Sequence, residues 1–362
     1  MQERLRLVSS HRGCCGIVLA FATLAANVAV ADIIKKEDLL RGISISREQC
    51  EATSQAVWLN VDGRDFCVRS YLSTAGGEGP RPVVFLQGDQ ISELNRKTWT
   101  WTDPSKAEDG DTDELTKIAD GFSKLAKTTA IYLARIGVDG TSGNHISRKT
   151  VLELDLMNAA LDSIKRRHGF EGFHVAGQSG GSRIAGGLIG LRRDISCLVL
   201  GSGPLVGPEG GKSKDPGQSY FDVINNVPQL TQNRSMRVLV VTDKMDKRVP
   251  AAQQTGFSDK LRRAGRQNSQ FFVEATDENH HGVVAYTELV TAGCVLGRSD
   301  EEIARAVGTI VKRNVEYNER RRKEIDAKAS IVAAARQAPP DTGSAPSDRP
   351  RAISARRGAA SK

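Results

Sequence analysis

Apolar residues recur along this chain in two rhythms. Short runs at 55–61, 65–72, 82–86, 130–134, 173–178, 195–200, 236–241 and 270–274 are apolar or alternate with polar positions, which predicts eight strands. The first two flank Asp62-Gly63, a tight hairpin turn. Val83, Val84, Phe85 and Leu86 are apolar at consecutive positions, as in a parallel strand covered on both faces. Helical periods fill the intervals at 113–127, 147–168 and 182–191. The second of these carries Leu154, Met157, Leu161 and Ile164 on one face and stops at Gly169. Strands alternating with helices predict an α/β fold in one domain: a mainly parallel eight-stranded sheet with an antiparallel N-terminal hairpin, flanked by helices.

The two ends depart from this rhythm. Arg4, Arg6 and Arg12 precede an apolar run from Gly16 to Val30, and Ala29-Val30-Ala31 ahead of Asp32 fits a signal-peptidase site. Residues 1–31 therefore read as a cleaved secretory signal, leaving no membrane span in a secreted or periplasmic protein. Residues 32–298 form the expected globular domain. A helix with a charged face is predicted over 299–337, and 338–362, rich in Pro, Ser, Ala and Arg, reads as a disordered basic tail.

Export changes the reading of the cysteines. Cys50, Cys67, Cys197 and Cys294 follow the leader and would meet an oxidising compartment. The hairpin brings the segments of Cys50 and Cys67 together, so a bridge is expected there. Cys197, in an apolar strand, and Cys294, near a late helix, fit either a bridge or two buried thiols. No cysteine or histidine cluster has metal-ligand spacing, and no cofactor is called for.

The net charge of +8 sits outside the body of the chain. Residues 1–31 contribute +2, 311–337 contribute +4 and 338–362 contribute +3, leaving −1 for 32–310. Basic ends around a nearly neutral body argue against a nucleic-acid partner. Oligomeric state is not readable.

The candidate chemistry begins where the fifth strand ends. Gly177-Gln178-Ser179-Gly180-Gly181 runs from that strand into a helix, the setting of a nucleophile elbow. Small flanks are needed because the serine occupies a strained turn, and the helix N-terminus presents N–H groups to a developing oxyanion. Asp246 and His281 follow in later loops. A serine hydroxyl needs an imidazole to accept its proton, and the imidazole needs a carboxylate to fix its tautomer. Asp243 and His280 are rival candidates for these two roles. The N–H groups of Gly180 and of Gly88 or Asp89 are the expected oxyanion donors. An inward-pointing Asp89 carboxylate would oppose an oxyanion. Trp99 and Trp101 could line a pocket or pack. Arg135 and His145 are candidate specificity groups, with loop scaffolding the favoured reading.

The stretch from Val238 through Asp246 to Val249-Pro250, the loop His281-Gly282 and the elbow resemble α/β-hydrolases over residues 55–295, in particular lidless esterases and relatives of dienelactone hydrolases and prolyl-oligopeptidase-type peptidases. The resemblance implies an exported serine hydrolase acting on a small ester. A peptidase or amidase acting on a peptide-like substrate, and a catalytically silent binding protein, are the alternatives. The match departs at Gln87-Gly88-Asp89, where the family usually has His-Gly, and at Asp243, where it more often has glycine.

Overall fold

The computed structural model describes residues 33–90, 94–95, 100–101, 110–206, 215, 217–226, 233 and 235–337. The leader with its cleavage site, the basic tail, Trp99 and the side chain of Trp101 lie outside them. Eight strands form the main sheet: β1 (Ala56–Val61), β2 (Arg64–Ser73), β3 (Val83–Leu86), β4 (Ala130–Leu133), β5 (Phe173–Gln178), β6 (Ile195–Gly201), β7 (Arg237–Asp243) and β8 (Ser269–Val273). Their spatial order is β8-β7-β6-β5-β3-β4-β2-β1. β1 pairs antiparallel with β2, and β2 antiparallel with β4, whereas every pairing from β4 to β8 is parallel. This is the expected mixed sheet.

Successive strand residues point to opposite faces, and the core divides accordingly. In β3, Val84 and Leu86 join the core under α4 (Val151–His168), α5 (Gly180–Leu188) and α6 (Ala251–Arg263). Val83 and Phe85 join the other core, under α3 (Thr112–Ala126), α7 (Val284–Val295) and α8 (Asp300–Gln337). There Phe85 stacks on Phe122 with ring centroids 4.6 Å apart. Removing such a buried ring costs roughly 3–5 kcal/mol.

Two helix starts move relative to the sequence reading. α4 begins at Val151 rather than near Ser147, because Lys149 takes φ +62° and Thr150 caps the helix by accepting from the Glu153 N–H. α5 begins at Gly180, directly after the candidate nucleophile. α8 buries Ile303 and Val307, then runs along the loop after β8, where Asn314, Asn318 and Arg321 donate to the carbonyls of Glu274, Ala275 and Thr276. Among the described residues no helix is long and apolar enough to cross a membrane.

Two disulfides are present. Cys50–Cys67 ties α2 (Arg47–Glu51), the short helix that follows α1 (Lys36–Arg41), to β2, as expected from the hairpin. Cys197–Cys294, left open by the sequence, joins β6 to α7.

Candidate active site

All five candidate site residues gather at the C-terminal edge of the parallel strands. Ser179 follows β5 with φ +52° and ψ −120°, a conformation that costs an L-residue of order 1–3 kcal/mol. Several bonds hold it there. The Ser179 N–H donates to Gly201 O (2.8 Å), and Ser182 Oγ donates to Gly177 O (2.6 Å) and Gly201 O (2.8 Å). The flanks have no room for side chains: a Cβ at Gly177 would lie 2.6 Å from the Gly181 carbonyl, and one at Gly181 would lie 2.0 Å from Leu86 O.

The chain leaving β3 crosses over this serine. A Cβ at Gly88 would lie 3.0 Å from Ser179 Cβ and 3.7 Å from its Oγ. Gly180 is the first helical residue, so its N–H has no intrahelical acceptor. Among the described residues the Asp89 N–H has no protein acceptor either.

The loop after β7 brings up the acid. Asp246 Oδ1 accepts from the N–H groups of Arg248 and Val249 (both 2.9 Å), which leaves Oδ2 facing His281 Nδ1 at 2.8 Å. Asp243 has a different setting. Its two oxygens accept from the Met245 and Ala275 N–H groups (both 2.7 Å), and His280 Nδ1 lies 3.4 Å away. The rivalry left by the sequence thus resolves geometrically into two separate pairs, and only His281 lines the cleft with Ser179.

Burial would raise the Asp89 carboxyl, but Lys149, Arg135 and Arg148 outweigh it and hold the carboxyl well below its usual range. Arg135 Nη1 donates to Oδ1 (2.9 Å), while Arg148 Nε (3.3 Å) and Lys149 Nζ (2.6 Å) share Oδ2. The buried Arg135 also pairs with Glu153 through two bonds, at 2.9 and 3.0 Å. Arg135 is therefore scaffolding. His145 is too: it is buried, donates from Nδ1 to Ile136 O at 2.8 Å, and is pushed down to about 3 by burial and by Arg135.

Several supporting residues were not singled out from sequence. Asp277 accepts from the N–H groups of Asn279, His281 and Gly282, pinning the histidine loop. Burial opposes ionisation of Asp277, but these N–H groups overcome it and lower its pKa. Gln178 Nε2 donates to His281 O at 2.7 Å, linking that loop to the elbow. The Asp277-Glu278-Asn279 turn just before the histidines was the available signal. Thr150-x-x-Glu153 has the spacing of a helix cap, so it gave no hint of the Arg135 pair.

Among the described residues one trio, Asp243, Glu274 and His280, brings three potential metal ligands within 4.8 Å of one another. Three of its carboxylate oxygens are already engaged: besides the two bonds to Asp243, Asn318 donates to Glu274 Oε1 at 2.8 Å.

The strand order, with the hairpin at one edge and the elbow after the fifth strand, decides the architecture. This is the α/β-hydrolase fold. No family model and no curated protein matches the chain. Similar solved structures include Est1E from Butyrivibrio proteoclasticus (14% identity, TM-score 0.44), with 67% of this chain and 98% of that one covered. They also include the esterase Pf2001 from Pyrococcus furiosus (12%, 0.46), with coverages of 70% and 95%. An arylesterase is similar at 12% identity and TM-score 0.44, with coverages of 72% and 87%.

Proposed function

We propose that this protein is an exported serine hydrolase that cleaves a small carboxylic ester through an acyl-enzyme on Ser179. One observation carries the reading: the Asp246–His281 contact of 2.8 Å opens onto the same cleft as a serine held at φ +52° after β5. With its Nδ1–H directed at Asp246, His281 keeps Nε2 as the proton acceptor. Ser179 Oγ attacks the ester carbonyl as its proton passes to His281. The tetrahedral oxyanion is met by the Gly180 and Asp89 N–H groups. Collapse expels the alcohol, which takes the proton from His281. Water then attacks the acyl-enzyme, giving a proton to His281, which returns it to Ser179 as the acid leaves.

Asp89 does not disable the oxyanion site in this account. Its carboxylate is engaged by three cations, Arg135, Arg148 and Lys149, which offset its charge.

Hydrolysis of 4-nitrophenyl acetate tests the reading. Ser179→Ala and His281→Ala should each remove nearly all turnover, leaving only what binding and the oxyanion donors supply. Full activity in Ser179→Ala would end it.

A further inference from the structure

A cavity of about 820 Å³ lies far from Ser179. Arg237 at the start of β7 and Ser269 at the start of β8 line it, so it sits at the N-terminal edge of strands whose other edge carries the candidate triad. The seven residues of β7, roughly 20 Å, separate the two edges. Four charged side chains line the cavity, Arg237, Arg262, Arg266 and Asp300. Arg237 Nη2 pairs with Asp300 at 2.6 Å, and Arg262 pairs with Asp259. Arg266 differs. It is 6% exposed, and its Nε and Nη2 have no acceptor. Burial lowers its pKa, and among the described residues no carboxylate stands near enough to raise it. Asn268 leaves a complementary gap: its Nδ2 donates to Ser258 O at 3.0 Å, while its buried Oδ1 has no donor.

A buried guanidinium without an anion is costly, so its place on the wall of a cavity points to a ligand. We propose that this cavity binds a small hydroxylated monocarboxylate of the sugar-acid class, with its carboxylate on Arg266 and a hydroxyl on Asn268 Oδ1. A guanidinium presents paired N–H donors to a planar carboxylate, and one unpaired cation matches one such group. Ser235 and Gln267 add polar side chains to the wall for further hydroxyls, and the volume exceeds what a bare ion needs. The site is separate from the chemistry at Ser179 and does not rest on the hydrolase reading.

Thermal melting with sodium gluconate, sodium hexanoate and inorganic phosphate at matched ionic strength tests it. Gluconate at about ten times its Kd should raise the Tm of the wild type by about 2–4 °C, and hexanoate should raise it less. Ser179→Ala should respond as the wild type does. Arg266→Met should abolish the response and, without ligand, should melt above the wild type, since a buried unpaired charge is gone. A lower-melting Arg266→Met would assign the arginine to bracing the fold and overturn the proposal. Asn268→Ala should reduce the gluconate shift to the hexanoate level, which keeps the test decisive should Arg266→Met fail to fold. No shift with gluconate, a larger shift with phosphate or hexanoate, or a gluconate shift unchanged in Arg266→Met or Asn268→Ala likewise overturns it.

Discussion

His281 Nδ1 stands 2.8 Å from Asp246 Oδ2, while the preceding His280 turns to Asp243 at 3.4 Å. The two histidines diverge because His280 takes φ +52°, which directs consecutive side chains to different partners. The divergence predicts unequal effects. Asp246→Asn should lower kcat by roughly 10⁴, because it favours the wrong imidazole tautomer. Asp243→Asn should act on stability instead, since its amide would set a donor against the Met245 or Ala275 N–H. Steady-state kinetics and thermal melts of both variants check this, and a rate collapse confined to Asp243→Asn would reverse the assignment.

The disulfides should differ in value. Cys50–Cys67 spans 17 residues and Cys197–Cys294 spans 97. Chain entropy then predicts losses of about 3 and about 4–5 kcal/mol when each pair is replaced. Denaturant unfolding of the two double variants measures them, and peptide mapping without reductant should recover both linked pairs.

Glu288 predicts a pH dependence. A Cβ on Gly121 would lie 2.5 Å from its Oε1, so the carboxyl on α7 presses against α3, and burial pushes it up from 4.5 to about 7. The folded state therefore holds a proton that the unfolded state releases between those values. Stability contributed by Glu288 is full below 4.5, falls as pH rises through the window, and is lost above about 7. His174 acts oppositely. Lowered to about 4 by burial and then by Arg81, it favours folding as pH rises towards 6.5. The readout is thus the difference between wild type and Glu288→Gln, which should be small at pH 4 and stabilising at pH 8, near the ends of a window set by burial. A constant difference in urea unfolding across that range would contradict it.

How much of this was legible follows from what the sequence encodes locally. The strand runs and the elbow were readable, because consecutive apolar residues and paired glycines report sheet burial and a tight turn directly. Asp246 and His281 were readable as candidates through their loops, but not separable from Asp243 and His280. That choice depends on backbone φ and on which N–H groups each carboxylate accepts. The Asp89 cluster was illegible for another reason. Arg135, Arg148, Lys149 and Glu153 come from one stretch of chain and Asp89 from another, and only the meeting of the loops after β3 and β4 with the start of α4 joins them. The bridge at Cys197 likewise required knowing that α7 crosses β6.

The leader prediction concerns residues outside the described structure. Protein recovered from an extracytoplasmic fraction should begin at Asp32, read by N-terminal sequencing, and intact Met1 there would contradict it.

The central claim is that Ser179 is a nucleophile, and active-site labelling tests it most directly. Wild-type protein treated with a fluorophosphonate should carry one adduct, which peptide mass spectrometry places on Ser179. Labelling should be lost in Ser179→Ala and strongly slowed in His281→Ala, since the hydroxyl then has no base to take its proton. An unlabelled wild type, or an adduct that persists in Ser179→Ala, would contradict the account.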